Sequence, residues 1–338
     1  MSIVRVLRAG LSTTVQDLGR PTLREYGVPC GGAMDRLSHE LANRLVGNPA
    51  TAATLEMTLT GDELEWPDGG LIAITGADMM PVVCNGGVQG GFVPLQTPVL
   101  ISPGRRIRFG TARRGCRCYV AVAEGFDVPE VMGSRATYLR ALLGGFLGRT
   151  LQAGDEIPVG FSDRQAMLSG ATGDVVLAPK WFVRLLELPD PAAAVSLRAV
   201  RGTHFDLLST QSQASLWSDS FLVSARSDRM GYRLSGNRLA TESTADLLSE
   251  GTAIGTLQLP PDGDPILLMA DSAPTGGYAR IAHVITADLP LAAQLRPGQM
   301  VHFKETTIQT AHAMLRQQRN DLEKAMLRIT LQGHEDFR

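Results

Sequence analysis

The pattern that most restricts this chain is a turn leading straight into an alternating strand. Ser102-Pro103-Gly104-Arg105-Arg106-Ile107-Arg108-Phe109 is echoed by Arg296-Pro297-Gly298-Gln299-Met300-Val301-His302-Phe303, and more loosely by Leu151-Gln152-Ala153-Gly154-Asp155-Glu156-Ile157-Pro158-Val159. Proline presets φ at the first central position of a type II turn, and glycine supplies the positive φ needed at the second. Across the chain, 36 glycines and 19 prolines punctuate short Val, Ile, Leu and Thr runs. Such spacing describes a mainly β protein of barrels or sandwiches. Strands are expected at 71–75, 99–101, 106–109, 119–123, 266–269, 281–285 and 300–303. The echoed turn hints at two related β-domains, although such turns are common in β-proteins.

Helices are few. Leu37, Leu41 and Leu45 form one apolar stripe over 35–46, and Gly47-Asn48-Pro49 stops it. A second helix is expected over about 307–329, capped by Thr306 or Thr307, with Ile308, Ala311, Leu315, Leu322, Met326 and Ile329 near one face. Its other faces are dense in Gln, Arg and Glu, so it reads as packed on the body rather than as a coiled coil. Leu186-Glu187-Leu188-Pro189-Asp190-Pro191 suits a linker. The expected organisation is a first β-domain at 1–160, a linker region at 161–199, a second β-domain at 200–305, and a C-terminal helix and tail at 306–338.

The 338 residues suffice for two domains with their own cores. A net charge of −2 offers no global electrostatic case for nucleic acid or an anionic membrane. Lysine occurs only at Lys180, Lys304 and Lys324, which leaves 29 of the 32 basic residues as arginine. Any anion site is therefore expected to use guanidinium, which grips carboxylates in a two-pronged way. No apolar run approaches the ~18 residues of a membrane span, and the N-terminus lacks a signal pattern. A cytoplasmic location is expected.

Four cysteines do not make a disulfide scaffold in a chain of this size. Cys116 and Cys118 resemble a metal or redox pair, but 116–123 reads as a strand. Both sulfurs then face one side as small core or surface groups. The six histidines are scattered without metal-ligand spacing, so no metal is assigned. Phosphate-loop, His-Glu-x-x-His and Gly-x-Ser-x-Gly motifs are absent. Asn85-Gly86-Gly87-Val88-Gln89-Gly90-Gly91 lacks a strand–turn–helix context and reads as a hairpin turn.

Four constellations carry candidate chemistry. Gln16, Asp17 and Arg20 group an amide, a carboxylate and a guanidinium beside a Gly-Arg-Pro turn; the plainer reading is a loop whose carboxylate satisfies backbone amides and Arg20. Asp35 precedes the first helix and reads equally as an N-cap or as part of a site. Asp271, Thr275, Gly276, Gly277 and Tyr278 follow an apolar strand, so that backbone N–H groups and a phenol can meet a carbonyl or carboxylate. An ordinary hairpin turn would read similarly. Gly133-Ser134-Arg135-Ala136-Thr137-Tyr138 offers Arg135 to a carboxylate, or is simply a polar turn.

These residues, with further motifs in the same order, resemble the biotin-dependent carboxyltransferase family that includes the C-type chain of 5-oxoprolinase and the allophanate-hydrolase-subunit-2-like part of urea amidolyase. The motifs include 13–20, Gly32-Ala33-Met34-Asp35, 41–48, Leu55-Glu56-Met57-Thr58-Leu59, 118–123, 133–138, Ser227-Asp228-Arg229-Met230-Gly231-Tyr232-Arg233-Leu234, 248–251, Gly255-Thr256-Leu257-Gln258-Leu259-Pro260 and Thr275-Gly276-Gly277-Tyr278. The family commonly has Gln-Thr-Thr where this chain has Ala273-Pro274-Thr275, and Gly-Pro where it has Gly202-Thr203.

The resemblance implies two cyclophilin-like β-barrel domains with few helices. It also implies one member of a hetero-oligomer, working with A-like and B-like partner proteins to open the lactam of 5-oxo-L-proline, with ATP consumed by the assembled complex. Under it, Asp17, Asp35 and Tyr278 are catalytic candidates. Gln16, Arg20, Arg135, Gln258, Asp271, Thr275, Gly276 and Gly277 are candidates for substrate binding. Two alternatives stay open. One is a carboxyltransferase component using biotin carried on another chain; the other is a regulatory binding protein antagonising a kinase inhibitor.

Overall fold

The computed structural model describes residues 2–85, 88–160, 176–242 and 247–332. The chain divides into two compact units, one comprising Met1–Gly19, Asp35–Leu188 and Asn320–Arg338, the other Arg20–Met34 and Pro189–Arg319. The division after Leu188 falls inside the Pro-punctuated segment expected as a linker. Residues 161–175 of that linker, Gly86 and Gly87 of the expected hairpin turn, and the tail 333–338 lie outside the described residues.

In the first unit, six antiparallel strands follow the order Glu156–Val159, Ser2–Arg8, Glu63–Trp66, Arg105–Arg108, Val82–Asn85 and Val88–Phe92. Six more follow the order Val176–Leu177, Pro98–Ile101, Gly70–Asp78, Arg114–Val122, Thr54–Thr58 and Thr13–Gln16. Inward positions repeat every second residue, as at Val4 and Val6 of the first strand, because successive side chains of a strand point to opposite faces. Both sheets feed one core that includes Val6, Trp66 and Ile107 from the first and Leu55, Ile74 and Val120 from the second. Each fully buried aliphatic side chain contributes about 1.5–3 kcal/mol by leaving water. Cys116 and Cys118 are buried on the inside of Arg114–Val122, the core alternative of the sequence reading, and all four cysteines are free thiols.

In the second unit seven strands close a barrel in the order Val195–Arg201, Ala279–Val284, Thr256–Leu259, Ile266–Leu268, Gly231–Ser235, Ser220–Val223 and Met300–Glu305. Closure is made by the parallel pairing of Val195–Arg201 with Met300–Glu305. Leu197, Phe221, Leu257, Ile281, Val301 and Phe303 fill the interior. The mainly β expectation therefore holds for both units. The short helix Leu289–Ala293 escaped the sequence reading, as did the helix Thr210–Ser218, capped by the Ser209 hydroxyl, which accepts from Ser212 N at 3.2 Å. Its weak apolar periodicity explains the omission, since Ser212 and Leu216 alone are buried along it.

The three echoed turns are built alike. Gly104, Gly298 and Gly154 have φ of 74°, 85° and 93°. In each, the residue after glycine donates its N–H to the carbonyl three positions back: Arg105 to Ser102, Gln299 to Arg296 and Asp155 to Gln152. The helix Arg36–Leu45 buries Leu37, Leu41 and Leu45, with Asp35 as its N-cap. In the C-terminal helix Ile308–Gln332 the first turn is capped by Thr307 Oγ1, which accepts from Thr310 N at 3.1 Å. Ala311, Leu315, Leu322, Met326 and Ile329 form the partly covered stripe expected, whereas Ile308 stands exposed in the first turn. Among the described residues no helix is long and apolar enough to cross a membrane.

Asp62 is a fully buried carboxyl of the first unit. Its Oδ1 accepts from Gly10 N and from Thr13 Oγ1 at 3.0 Å, while Oδ2 is buried without a hydrogen-bond partner among the described residues. Burial pushes its carboxyl up from 3.8 to about 6, outweighing those two hydrogen bonds and Arg8. A carboxyl raised in the folded state binds more protons folded than unfolded. Its contribution is fully favourable below about pH 4 and is lost as pH rises through 6, an effect of about 3 kcal/mol. Asp62→Asn keeps both hydrogen bonds and removes the charge. In urea unfolding it should match or exceed the wild type at pH 7.5. The wild type should gain on it as pH falls from 7 to 4; parallel profiles would refute the assignment.

Candidate functional site

The candidates in the first unit are held by short hydrogen bonds at the end of Thr13–Gln16. Asp17 is buried and accepts three: from Gly19 N at 2.7 Å and Ser134 Oγ at 2.7 Å on Oδ1, and from Arg135 N at 2.6 Å on Oδ2. Gln16 Nε2 donates to Thr14 Oγ1 at 2.9 Å and to the Thr137 carbonyl at 3.2 Å. Thr137 in turn donates both its N–H and its hydroxyl to the Val15 carbonyl, each at 2.9 Å. Segment 134–137 is thus stitched onto the strand end, as expected of a carboxylate with spare acceptor sites beside irregular backbone. The Arg135 guanidinium donates to the Val128 carbonyl at 3.0 Å and to Glu130 at 2.6 Å.

Asp35 is buried, and its two oxygens accept from Ser38 N at 2.9 Å and Ser38 Oγ at 2.6 Å. This is the N-cap arrangement, in which the side chain satisfies a helix N–H that has no partner within the helix. Its own N–H donates to the Tyr119 hydroxyl at 2.8 Å, and that hydroxyl donates to Glu56 Oε2 at 2.7 Å. Arg117 Nε lies 3.8 Å from Glu56 Oε1. Burial, with the Glu56 and Asp35 carboxylates, pushes the Tyr119 hydroxyl well up. Nearby His39 is pushed down to about 4 by burial and meets Thr54 Oγ1 at 2.8 Å and the Ala50 carbonyl at 3.0 Å. The imidazole is therefore neutral at neutral pH. Sequence reasoning missed this network. Its visible signal was Glu56, a carboxylate set inside the apolar run Leu55-Glu56-Met57.

The second unit holds the rest. Arg20, read in sequence beside Gln16 and Asp17, belongs to this unit rather than to theirs. Segment Arg20–Met34 has no strand partner, so its backbone groups are satisfied individually. Gly31 N donates to the Ala270 carbonyl at 3.0 Å, and Arg20 N to that of Cys30 at 2.7 Å. Arg229 grips Asp271 with two bonds, of 2.9 and 3.0 Å, and also donates to the Gly32 carbonyl at 2.6 Å. Arg24 donates to the carbonyls of Thr252 and Pro274. Gly31 has φ of +64°, and a Cβ there would lie 3.5 Å from Arg20 Nη1 and 3.7 Å from Asp271 Oδ1, which brings those two candidates to one place.

Beside this strap lies the turn Thr275-Gly276-Gly277-Tyr278. Thr275–Gly276 pairs with Glu250–Gly251, and Arg280 holds the pairing by donating to the Gly251 carbonyl at 2.9 Å and to the Glu250 carboxylate. Gln258, on the barrel strand Thr256–Leu259, lies against it. A Cβ at Gly276 would come within 2.6 Å of Gln258 Nε2, and at Gly277 within 3.4 Å of Ser249 Oγ. Gln258 Nε2 is buried with no hydrogen-bond partner among the described residues. Tyr278 is 48% exposed and Thr275 is exposed. Gln258, Thr275, Gly276, Gly277 and Tyr278 therefore form one cluster, with an amide donor lacking an acceptor. Among the described residues no group of three or more His, Cys, Asp or Glu is placed to hold a metal ion.

The carboxyltransferase domain family, subdomains A and B, matches residues 26–305, and the chain belongs to this family. Its likeness to particular members is nearly end to end. It is 36% identical over 328 residues to the C subunit of 5-oxoprolinase from Escherichia coli (strain K12), covering 97% of this chain and 99% of that one. It is 32% identical over 320 residues to the C subunit of 5-oxoprolinase from Haemophilus influenzae, covering 93% and 94%. The crystal structure of the K. lactis urea amidolyase matches with a TM-score of 0.82 and 27% identity over 97% of this chain, which spans only 20% of that longer protein.

Arg229 joins the strap to the barrel, so Arg229→Ala would bare the Gly32 carbonyl and leave Asp271 buried without its guanidinium. We expect a loss of about 3 kcal/mol in urea unfolding. Arg229→Lys should recover less than half, because one ammonium cannot reproduce a two-pronged grip plus a carbonyl bond. Full recovery by lysine would show that charge alone is at work.

Proposed function

We propose that the chain is the C-type member of an ATP-dependent 5-oxoprolinase, acting with A-like and B-like partner proteins to hydrolyse 5-oxo-L-proline to L-glutamate in the cytoplasm. The observation that carries this reading is the 36% identity to a protein named as the C subunit of 5-oxoprolinase, running across 97% of this chain and 99% of that one. ATP belongs to the assembled complex in this reading, and no residue of this chain is assigned to it.

Opening a lactam requires an electron-poor carbonyl carbon and donors for the oxygen as negative charge grows on it. In the second unit Gln258 Nε2 is a donor without an acceptor among the described residues, and glycine at 276 makes room for it, since a Cβ there would lie 2.6 Å away. In our assignment the lactam oxygen is received there, with the Tyr278 phenol as a second donor and Thr275 and Gly277 bordering the substrate. Asp271, gripped by Arg229, positions the loop that leads into this turn. Asp17 and Asp35 act as positioning groups, consistent with the hydrogen bonds that occupy them.

A second reading draws on the family match itself and on the urea amidolyase likeness. There the same donors would face an amide carbonyl accepting a carboxyl group from biotin borne on another chain. Co-expression with the adjacent partner genes, followed by an assay of ATP-dependent glutamate release, separates the two. Glutamate release is the expected result; turnover only with carboxybiotin and urea would favour the second reading. In the active complex Gln258→Leu should lower kcat by about a hundredfold. Tyr278→Phe should lower it less, and Gly276→Ala should resemble Gln258→Leu by displacing the amide. Wild-type turnover in Gln258→Leu would remove the assignment.

A further inference from the structure

Arg24 differs from Arg229 and Arg280, its neighbours around the candidate turn, in having no carboxylate. Arg280 pairs with Glu250 and Arg229 with Asp271, so those charges cancel. The Arg24 guanidinium is half-buried and meets two main-chain carbonyls through one nitrogen. Nη2 donates to Thr252 O and, at 3.4 Å, to Pro274 O. Among the described residues its Nε and Nη1 meet no acceptor, and no carboxylate pairs with it. Two neutral carbonyls thus fix the guanidinium in place without cancelling its charge.

Both carbonyls border the candidate site. Thr252 and Pro274 flank the pairing of Glu250–Gly251 with Thr275–Gly276 and are joined to each other, Thr252 N donating to Pro274 O at 2.9 Å. A Cβ at Gly276 would lie 3.3 Å from Thr252 Cγ2 and 2.6 Å from Gln258 Nε2. Gln258 Nε2, Gly276 and Thr252 are therefore immediate neighbours, and Arg24 sits on the carbonyl of the last. The loop that carries Arg24 projects from the strap. Arg20 N donates to the Cys30 carbonyl at 2.7 Å and joins the loop's ends. Between them Leu23, Gly27 and Val28 donate to carbonyls of Arg20, Leu23 and Arg24, all within the loop, and none of Pro21–Tyr26 is buried.

We propose that Arg24 receives the carboxylate of the substrate, so that the site selects lactams bearing a carboxylate on the ring carbon next to nitrogen. The inference rests on the assignment of the lactam oxygen to Gln258 and Tyr278. In 5-oxo-L-proline the carbonyl and the carboxylate-bearing carbon flank the ring nitrogen, so both acceptors lie along one edge of the molecule. An amide donor at Gln258 and a cation one neighbour away, on Thr252, match that pair of acceptors. The carboxylates of Glu250 and Asp271 are held by Arg280 and Arg229, which keeps them from competing for Arg24. A substrate carboxylate then displaces no protein carboxylate when it binds. It gains a charge-assisted hydrogen bond, roughly twice as strong as a neutral one.

The test uses the full chain assembled with its co-expressed A-like and B-like partners. The substrate is 5-oxo-L-proline, and the competitive inhibitor is 2-pyrrolidinone, the same ring without the carboxylate. Arg24→Gln should raise KM for 5-oxo-L-proline about thirtyfold, the worth of one charge-assisted hydrogen bond. Its kcat should fall far less, and the inhibition constant of 2-pyrrolidinone should stay at the wild-type value. Arg24→Lys restores the charge without the planar fork and should recover part of the loss in KM. Equal weakening of both ligands, or a loss in kcat with KM unmoved, would make Arg24 a support for the turn and overturn the proposal. So would unchanged kinetics in Arg24→Gln, or a variant that melts well below the wild type. In each of these cases glutamate release by the wild-type complex leaves the oxoprolinase reading standing. A wild-type complex that releases no glutamate would sink both.

Discussion

Guanidinium groups donating to main-chain carbonyls are the interaction on which this molecule's irregular backbone depends. A β-protein with long connections exposes many carbonyls that no ladder satisfies, and a buried one without a donor costs about 1–3 kcal/mol. Here Arg24, Arg36, Arg135, Arg149 and Arg229 each donate to at least one carbonyl of a loop or turn, and Arg280 to one of the two-residue strand Glu250–Gly251. Four of them also meet a carboxylate: Arg135 with Glu130, Arg149 with Asp155, Arg229 with Asp271 and Arg280 with Glu250. A planar fork with five N–H groups can bind a carboxylate and a carbonyl at once, whereas a lysine ammonium cannot match that geometry. The scarcity of lysine, which the sequence alone connects with anion binding, thus has a structural use.

This division of labour separates the candidate chemistry. In the first unit, Asp17, Asp35 and Arg135 have partners that explain their presence through loop and helix geometry. In the second, Arg229, Arg24 and Arg280 position the segments around Thr275–Tyr278 without entering the turn themselves. Beside and within the turn, Gln258 Nε2 has no acceptor among the described residues and the Tyr278 side chain is exposed.

Much of the fold was legible because it is written locally. Each expected strand falls on an observed one, since alternation and Pro-Gly punctuation require only a few adjacent residues. The cap at Asp35, the stop at Gly47 and the stripe Leu37-Leu41-Leu45 are equally local. Three things were not legible, each for want of a long-range partner. Arg20 follows Asp17 by three positions yet belongs to the other unit, because burial of Met34 in the barrel core and the bonds at Gly31 and Gly32 draw the segment there. Glu56 has the look of a surface position on an alternating strand, and only the fold sets Tyr119 beside it. The positive φ of Leu142 and Leu147 had no signature, because nothing in a leucine marks a left-handed position as glycine or asparagine does.

Gly276 shows why spacing alone left the candidate turn undecided. Glycine in such a turn is usually explained by positive φ, which would make it part of an ordinary hairpin. Among the left-handed residues of this chain Gly276 is missing, so the conformation does not demand glycine. What demands it is Gln258 Nε2, 2.6 Å from where a Cβ would stand. Folding alone would favour an alanine there packed on an aliphatic residue at 258, which removes a buried donor that lacks an acceptor among the described residues. Keeping the amide, and a glycine to make room for it, sacrifices stability at one point of the barrel. A ligand carbonyl satisfying that donor is the simplest return on the sacrifice, and it is the physical reason to look for the chemistry at this turn.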